Sequence, residues 1–495
     1  MSTPSFVLGV DLGTSGCKVC LLSAAGAVTA SCSVGYATAS PQPLWAEQDA
    51  HDWPRAVTDA VRRVLAESGI PATQVAGLAL TSAAHIGVLL DAQGEPVRPA
   101  ILWHDQRSAA EVAELEREAG AEILRLTCQA VSTGWTLPHL RWVRRHDPAA
   151  WARTRTVLLS KDYLAQWLVG RAVTDPATAL SAQLLDTTTG QWSKTLCRLA
   201  GITPKMLPEI CPATTIIGGL TADAARQLGL VACTPVVLGS VDSATELLAA
   251  GVVTPGQRQL RLASAGGVQC VTPAPTPHRQ RITYPHLITP YWYCQAGTNT
   301  CATAVRWGME VLAGEVSYAA WDAAAAETPV GADGLLFHPY LAGERAPHWD
   351  PNLRGSFIGL TLRHGRGHLA RALYEGTAFS IRQAMSVLDA PPNAEPFSVV
   401  GGGTRSALWV RILADVLGRP LRIPADADSA VGAALLALAA LGLADDLPTL
   451  AARRSDTGTL VQPIAAHVAC YEDAYQRYTQ LPALLAPYYA QGESR

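Results

Sequence analysis

The sequence predicts an α/β protein of two domains built as an internal duplication. Three observations carry this reading. At 495 residues the chain exceeds the size at which a single core keeps growing. A strand–polar turn–strand unit, VLGVDLGTSGCKVCLLS (Val7 to Ser23), recurs in plan as RQLRLASAGGVQCVTPA (Arg258 to Ala274). Between the two units, the Pro- and Gly-containing stretch GVVTPGQRQ marks a boundary, so the chain divides into residues 1–251 and 252–495.

In the first unit, apolar residues up to Val10 and again at Val19, Leu21 and Leu22 suit two buried strands, and the middle suits a tight turn. Such a turn gathers backbone N–H groups, the hydroxyls of Thr14 and Ser15 and the ammonium of Lys18, a combination that can hold a phosphate. Asp11 at the strand end can hold Mg²⁺ through water, since Mg²⁺ binds few carboxylates and keeps several waters. An ordinary hairpin explains the same residues.

A helix begins near Pro54, where Val57, Ala60, Val61, Val64 and Leu65 form one apolar face. GLALTSAAHIGVLLD (Gly77 to Asp91) reads as strand, turn, strand with His85 at the turn, and ILWHDQR then places Asp105 and Arg107 after an apolar run. Residues from Ile123 to Leu199 look mostly helical. In TPVVLGSVDSATELLAAG (Thr234 to Gly251) a buried strand leads to a helix, which puts Asp242 on the strand-to-helix loop, a usual place for a catalytic side chain. FSVVGGGTRSALWVRILADVLGRPL (Phe397 to Leu421) is strand, triple glycine, helix; the glycines let a flat ligand approach the backbone, or else serve a turn.

Composition narrows the function. Apolar content of 49% and a net charge near −3 leave no basic footprint for nucleic acid or an anionic membrane. Ala430 to Ala444 is shorter than the ~20 residues a membrane span needs and reads as a packed core helix. Eleven scattered cysteines suit reduced thiols and a cytoplasmic location, and Cys17 and Cys20, three apart on a strand, point to opposite faces. The chain lacks GxxxxGK[ST], a strand-associated GxGxxG, a GxSxG elbow and HExxH. What remains is two phosphate-type hairpins, a glycine shelf and one loop carboxylate. These are parts for phosphoryl transfer by positioning and charge, with one base to take an alcohol proton.

The longest informative block is YLAGERAPHWDPNLRGSFIGL (Tyr340 to Leu360), followed by HLARALYEG (His368 to Gly376). With WAEQD (Trp45 to Asp49), ILWHDQR, KDYL (Lys161 to Leu164), Thr174-Asp175 and GGGTRSALW (Gly401 to Trp409) in the same order, the chain resembles the FGGY carbohydrate kinases along nearly its whole length, xylulokinases above all. The resemblance implies two duplicated ribonuclease-H-like domains of the actin and hexokinase type around a cleft that binds sugar and ATP with Mg²⁺. It implies that Asp242 is the general base and that Asp11 lies near the metal and the reacting phosphate. Thr14, Ser15 and Lys18 match the first phosphate hairpin, Ser264 and Ala265 the second, and Gly402 and Gly403 the shelf under adenosine. Ala84, His85, Ser243 and Asp105 are the candidate sugar-binding residues beside Asp242; an exposed ion pair explains Asp105 and Arg107 nearly as well. The Glu344-Arg345 pair is expected to be structural.

Several residues depart from the family pattern. Ala83-Ala84-His85-Ile86 stands where Gln-Met-His-Gly is usual, Ser243 where Asn follows the base, and Leu262-Ala263-Ser264-Ala265-Gly266 where the second hairpin reads LGTSG, so that Ala263 removes a glycine and Ala265 a second hydroxyl. A site matched to a hydroxyl pattern discriminates strongly through its hydrogen bonds. The expected activity is therefore phosphorylation of a ketopentose, D-xylulose first, with another ketose or a polyol of the ribulose type as the alternative. A catalytically weak sugar sensor is the second alternative. No nucleic-acid or membrane partner is expected, and a homodimer is carried as an option because nothing in the chain sets the oligomeric state.

Overall fold

A computed structural model of the chain describes residues 5–314, 316–389, 391–455 and 457–490. Two large sheets dominate it, and they share one plan. In the first, Phe6–Leu12 pairs antiparallel with Gly16–Ser23, which pairs antiparallel with Val28–Gly35; on the other side Phe6–Leu12 pairs parallel with Val75–Ser82, and that strand parallel with Pro235–Val241. In the second, Arg258–Leu262, Gly266–Thr272 and Trp292–Gly297 repeat the antiparallel run, and Phe397–Val400 and Leu421–Ile423 repeat the parallel one. Ile216–Gly219 extends the first sheet, while Ile282–Pro285 and Thr459–Val461 extend the second at its two edges. The strand order 3-2-1-4-5 within each half is the duplicated α/β architecture expected from the paired hairpins.

The strands Phe6–Leu12 and Gly16–Ser23 bury residues on both faces, which is why the first hairpin reads as two continuous apolar runs, whereas Val28–Gly35 at the edge alternates with exposed residues. In the first sheet Leu8, Val10, Cys17, Val19 and Leu78 face a core with Trp53, Val57 and Val61 of the helix Asp52–Ser68. Val7, Cys20, Leu22, Ala79 and Val237 face the opposite way. Cys17 and Cys20 thus lie on opposite faces, and all eleven cysteines are free thiols.

The helix that covers this opposite face comes from the far end of the chain. Ser429–Ala440 returns to the first sheet, where Ala430, Ala433, Ala434 and Ala437 are buried with Val7 and Ala79, and crosses the helix Asp242–Ala249. The approach needs two glycines. A Cβ on Gly9 would stand 1.8 Å from the Ala430 carbonyl oxygen, and one on Gly432 would stand 1.9 Å from that of Thr245. The Ala- and Gly-rich run is therefore a packed core helix, but it is buried against the other half. Among the described residues no helix is long and apolar enough to cross a membrane.

The segment 123–199, expected mostly helical, also holds the strand Thr156–Leu159, which pairs with Gly87–Leu90 and so backs the turn that carries His85.

Candidate active site

Two helix N-termini and the turn end of the first hairpin meet at one point. Asp11 and Lys18 are register partners on the hairpin, on the face that the two crossing helices cover. Asp242 is the first residue of its helix, since the strand Pro235–Val241 passes directly into Asp242–Ala249. This corrects the expected loop: no residue intervenes, and the carboxylate sits where the helix dipole favours negative charge. One Asp242 carboxylate oxygen accepts from the Ser243 N–H at 2.7 Å. Asp428 caps the returning helix, accepting from the Val431 N–H at 3.0 Å, and its other oxygen takes the Lys18 ammonium at 2.6 Å.

Burial pushes the Asp242 carboxyl up to about 6. It also holds Asp11 well above the usual carboxylate range, with the charges of Asp242, Asp428 and Glu246 adding to the effect. Asp11 Oδ1 is buried and has no hydrogen-bond partner. Glu246, one turn after Asp242, is matched: it accepts from Gln259 Nε2 at 2.6 Å and from Arg261 Nη2 at 2.5 Å, both on the first strand of the second sheet.

The two hairpins turn over short loops that pair differently: Leu12 faces Cys17 in the first, and Leu262 faces Gly266 in the second. In the first, the Gly13 N–H donates to Gly16 O at 3.0 Å and Gln48 Nε2 to Thr14 O at 2.7 Å, while the N–H groups of Thr14 and Ser15 make no hydrogen bond among the described residues. In the second, Ser264 O accepts from Cys301 N at 2.9 Å and Ala263 O from Ala302 N at 2.9 Å, and the N–H groups of Ser264 and Ala265 are likewise without partners among the described residues. The second loop is thus held from outside by the segment at Cys301 and Ala302, through backbone groups that Ala263 and Ala265 leave in place, whereas the first closes on itself from Gly13 to Gly16. Behind it, Glu344 accepts from the N–H groups of Asn299 and Arg345 at 2.7 Å each, while Arg345 donates to Thr298 O at 2.6 Å. The Glu344-Arg345 pair therefore buttresses the loop that supports the hairpin.

On the glycine shelf the two candidates differ. Space above Gly402 is open, whereas a Cβ on Gly403 would stand 2.7 Å from Leu262 Cβ and 2.8 Å from the Trp409 ring. Gly403 lies in a packed contact and Gly402 on an open surface.

At the turn between Val75–Ser82 and Gly87–Leu90, His85 takes a left-handed backbone (φ 71°) and both ring nitrogens are engaged. Nδ1 is 2.8 Å from Ser181 O and therefore carries the proton; Nε2 accepts from the Tyr284 hydroxyl at 3.1 Å. Trp135 meets the ring edge-on at 4.1 Å, and burial lowers its pKa to about 4, so the imidazole is neutral. Ala84 is partly buried beside it. Ser243 is buried and its hydroxyl is 2.8 Å from that of Tyr293.

Asp105 requires correction. It was expected at the sugar, or in an exposed ion pair, but its side chain is fully buried. One oxygen accepts from the Arg107 N–H at 2.8 Å and Nε at 2.9 Å, the other from the Ala46 N–H at 2.5 Å and Arg107 Nη2 at 2.8 Å. Arg107 also reaches Glu47 and lies over the Trp45 ring at 3.8 Å. The WAEQD and ILWHDQR segments thus lock each other in place.

Sequence reasoning missed Asp428, Trp103, Tyr284 and Tyr293. Trp103 is partly exposed and donates from its indole to Thr14 Oγ1 at 3.0 Å, which joins the first hairpin to the sugar side. An N-cap signature before the alanine run marks Asp428; nothing local marks the tyrosines.

The FGGY family of carbohydrate kinases, N-terminal domain, matches residues 6–249, and its C-terminal domain matches residues 267–441. The chain belongs to the FGGY family of carbohydrate kinases. It is 33% identical to the xylulose kinase of Escherichia coli (strain K12), over 97% of this chain and 99% of that one. The solved xylulose kinase from Rhodospirillum rubrum is 34% identical, with a TM-score of 0.90 over 98% of this chain and 100% of that one. The gluconokinase of Bacillus subtilis (strain 168) is 28% identical over 89% of this chain and 88% of its own length. This chain is thus a sugar kinase similar to xylulose kinases, of a family that uses ATP as phosphoryl donor.

The residues fit a hydrated Mg²⁺. Asp11 offers a buried, unpartnered oxygen amid excess negative charge, while among the described residues no three acidic, His or Cys side chains converge to hold a metal directly. One carboxylate acting through water is the arrangement Mg²⁺ accepts.

Proposed function

We propose that this FGGY kinase transfers the terminal phosphoryl group of ATP to D-xylulose, giving D-xylulose 5-phosphate. The observation that carries the reading is Asp242: a carboxylate raised to about 6 by burial, at a helix start beside Asp11 and the first hairpin. A base of that strength is ionised at neutral pH and still able to take an alcohol proton as the oxygen attacks.

Each remaining residue has one task in this scheme. The free N–H groups at Thr14, Ser15, Ser264 and Ala265 approach the phosphates from the two halves, and Lys18 adds its charge by exchanging Asp428 for a phosphate oxygen. Gly402 leaves room for the adenosine, with Gly403 fixing the shelf under it. Asp11 orients the hydrated Mg²⁺, whose charge, when bound, offsets that developing on the phosphates. Ala84, His85 and Ser243 shape the sugar pocket next to Asp242. The division at residues 251 and 252 then separates sugar and base from the second hairpin and adenosine, with the returning helix as a bridge.

D-Xylulose is favoured by the xylulose kinases that this chain resembles over nearly its full length. A second reading, another ketose, a polyol or a sugar acid, is favoured by the gluconokinase at comparable identity. Coupled ADP release over a panel of D-xylulose, ribulose, gluconate and pentitols tests both. D-Xylulose is expected to show the highest kcat/KM. A tenfold preference for gluconate or a polyol overturns the substrate, and no sugar-dependent turnover overturns the activity.

A further inference from the structure

The second half reaches into the sugar side of the first through one strand pair. Tyr284 and Tyr293 are register partners on the antiparallel strands Ile282–Pro285 and Trp292–Gly297, at one edge of the second sheet. Both are 0% exposed, and their rings lie 5.6 Å apart. A phenylalanine would fill the same space, and a buried hydroxyl costs free energy unless it is hydrogen-bonded. Both hydroxyls cross to the first half: Tyr284 to His85 Nε2 at 3.1 Å, and Tyr293 to Ser243 Oγ at 2.8 Å. His85 and Ser243 are both candidate sugar-binding residues in the proposed reaction, and Ser243 adjoins Asp242.

The direction of the first bond follows from its surroundings. His85 Nδ1–H donates to Ser181 O, so Nε2 is an acceptor and Tyr284 is the donor. The run from Tyr284 through His85 to Ser181 fixes one tautomer and one ring orientation. In the second bond either hydroxyl can be the donor; burial keeps the phenols protonated, and when Tyr293 donates to Ser243 Oγ the serine O–H is left to point elsewhere. Ser243 follows Asp242 directly, and its N–H already binds that carboxylate.

We propose that Tyr284 and Tyr293 are positioning residues that set acceptor specificity: they lock His85 and turn the Ser243 O–H toward a second hydroxyl of a polyhydroxylated acceptor while Asp242 takes the proton of the first. The inference rests on the sugar-kinase reading and adds that the sugar pocket is complete only with the second half in place. The tyrosine hydroxyls bond candidate sugar residues and not the residues assigned to ATP, so the effect is expected on one substrate.

Tyr293→Phe and Tyr284→Phe keep each ring and remove one oxygen. With the ketose varied at saturating ATP, each is expected to raise its KM about five- to tenfold, the weight of one hydrogen bond, with kcat and the KM for ATP nearly unchanged. Adding Ser243→Ala to Tyr293→Phe is expected to change nothing further, since the two hydroxyls act as one unit. The preference for D-xylulose over its pentitol is expected to shrink. An unchanged ketose KM, additive effects in the double variant, or both KM values and kcat drifting together with a lowered melting temperature overturns the inference. Ketose binding without ATP, read by titration calorimetry, separates it from the reading beneath it. A wild type that binds no ketose overturns both; variants that bind as tightly as a binding wild type overturn this inference alone.

Discussion

Asp242→Asn exposes the opposition between stability and catalysis at this site. The substitution keeps shape, and the amide oxygen still accepts from the Ser243 N–H. It removes a carboxylate whose folded-state pKa is about 6 against an ordinary 3.8. The sign follows directly. A carboxyl raised on folding binds its proton more tightly in the folded state, so stability falls as pH rises from the unfolded value to the folded one and stays lowered above it. About two pKa units at roughly 1.4 kcal/mol each set an upper bound of about 3 kcal/mol, and partial exposure reduces this to about 1–3 kcal/mol. At pH 8 the Asn variant is therefore expected to melt several degrees above wild type. At pH 5, where wild type is mostly protonated, the difference is expected to shrink.

Activity is expected to move the other way. Loss of a general base costs about 10²–10⁴-fold in kcat. In wild type, kcat/KM for the sugar is expected to fall about tenfold per unit below pH 6, because the proton that stabilises the fold disables the base. Thermal melts at the two pH values and steady-state turnover check both halves. A variant that melts lower than wild type at pH 8, or one that keeps a tenth of wild-type turnover, would refute the assignment of Asp242 as a buried base.

Other expectations follow from the same geometry. Gly9→Ala and Gly432→Ala push a methyl into backbone oxygens less than 2 Å away and are expected to destabilise by about 1–3 kcal/mol or more, read as a lowered melting temperature, whereas Gly402→Ala meets nothing within 4 Å and is expected to leave the melt unchanged. Asp428→Asn keeps an oxygen for the Val431 N–H but releases Lys18, so the KM for ATP is expected to fall a few-fold while that for sugar holds; a raised KM for ATP counts against Lys18 as a phosphate ligand. Asp105→Ala leaves Arg107 buried beside Glu47 alone and is expected to cost about 3–5 kcal/mol of stability; a normal melt with a raised sugar KM would restore Asp105 to the sugar site.

Where the sequence was legible, the information was local. Periodicity and turn chemistry located both hairpins, the strand before Asp242 and the glycine turn after Val400, because each is written in consecutive residues. Small residues at Gly9 and Gly432 are a trace of the helix crossing, but only the fold shows what they approach. Asp105 misled because an Asp and an Arg two apart after an apolar run look like surface residues; their burial depends on Glu47 and Trp45, supplied by a distant segment. The pairs that organise the site are farther apart still. Lys18 and Asp428 are separated by 410 residues, and His85 and Tyr284 by 199. Contacts of that span leave no period or motif in either segment.

The charge balance at the centre shows why distant segments are needed there. Asp11, Asp242, Glu246 and Asp428 bring four carboxylates together, and burying charge without partners is costly. Arg261 answers Glu246 from the second half, and Lys18 answers Asp428, which the chain delivers only on its return to the first sheet. Asp11 and Asp242 make no ion pair among the described residues; burial above all raises their carboxyls, nearby carboxylates add to it, and Lys18 and Arg261 act against it. In the proposed reaction the two meet different needs: Asp11 attracts a cation, and Asp242 exchanges a proton at neutral pH. Had either been paired like its neighbours, the site would be more stable and unable to do both.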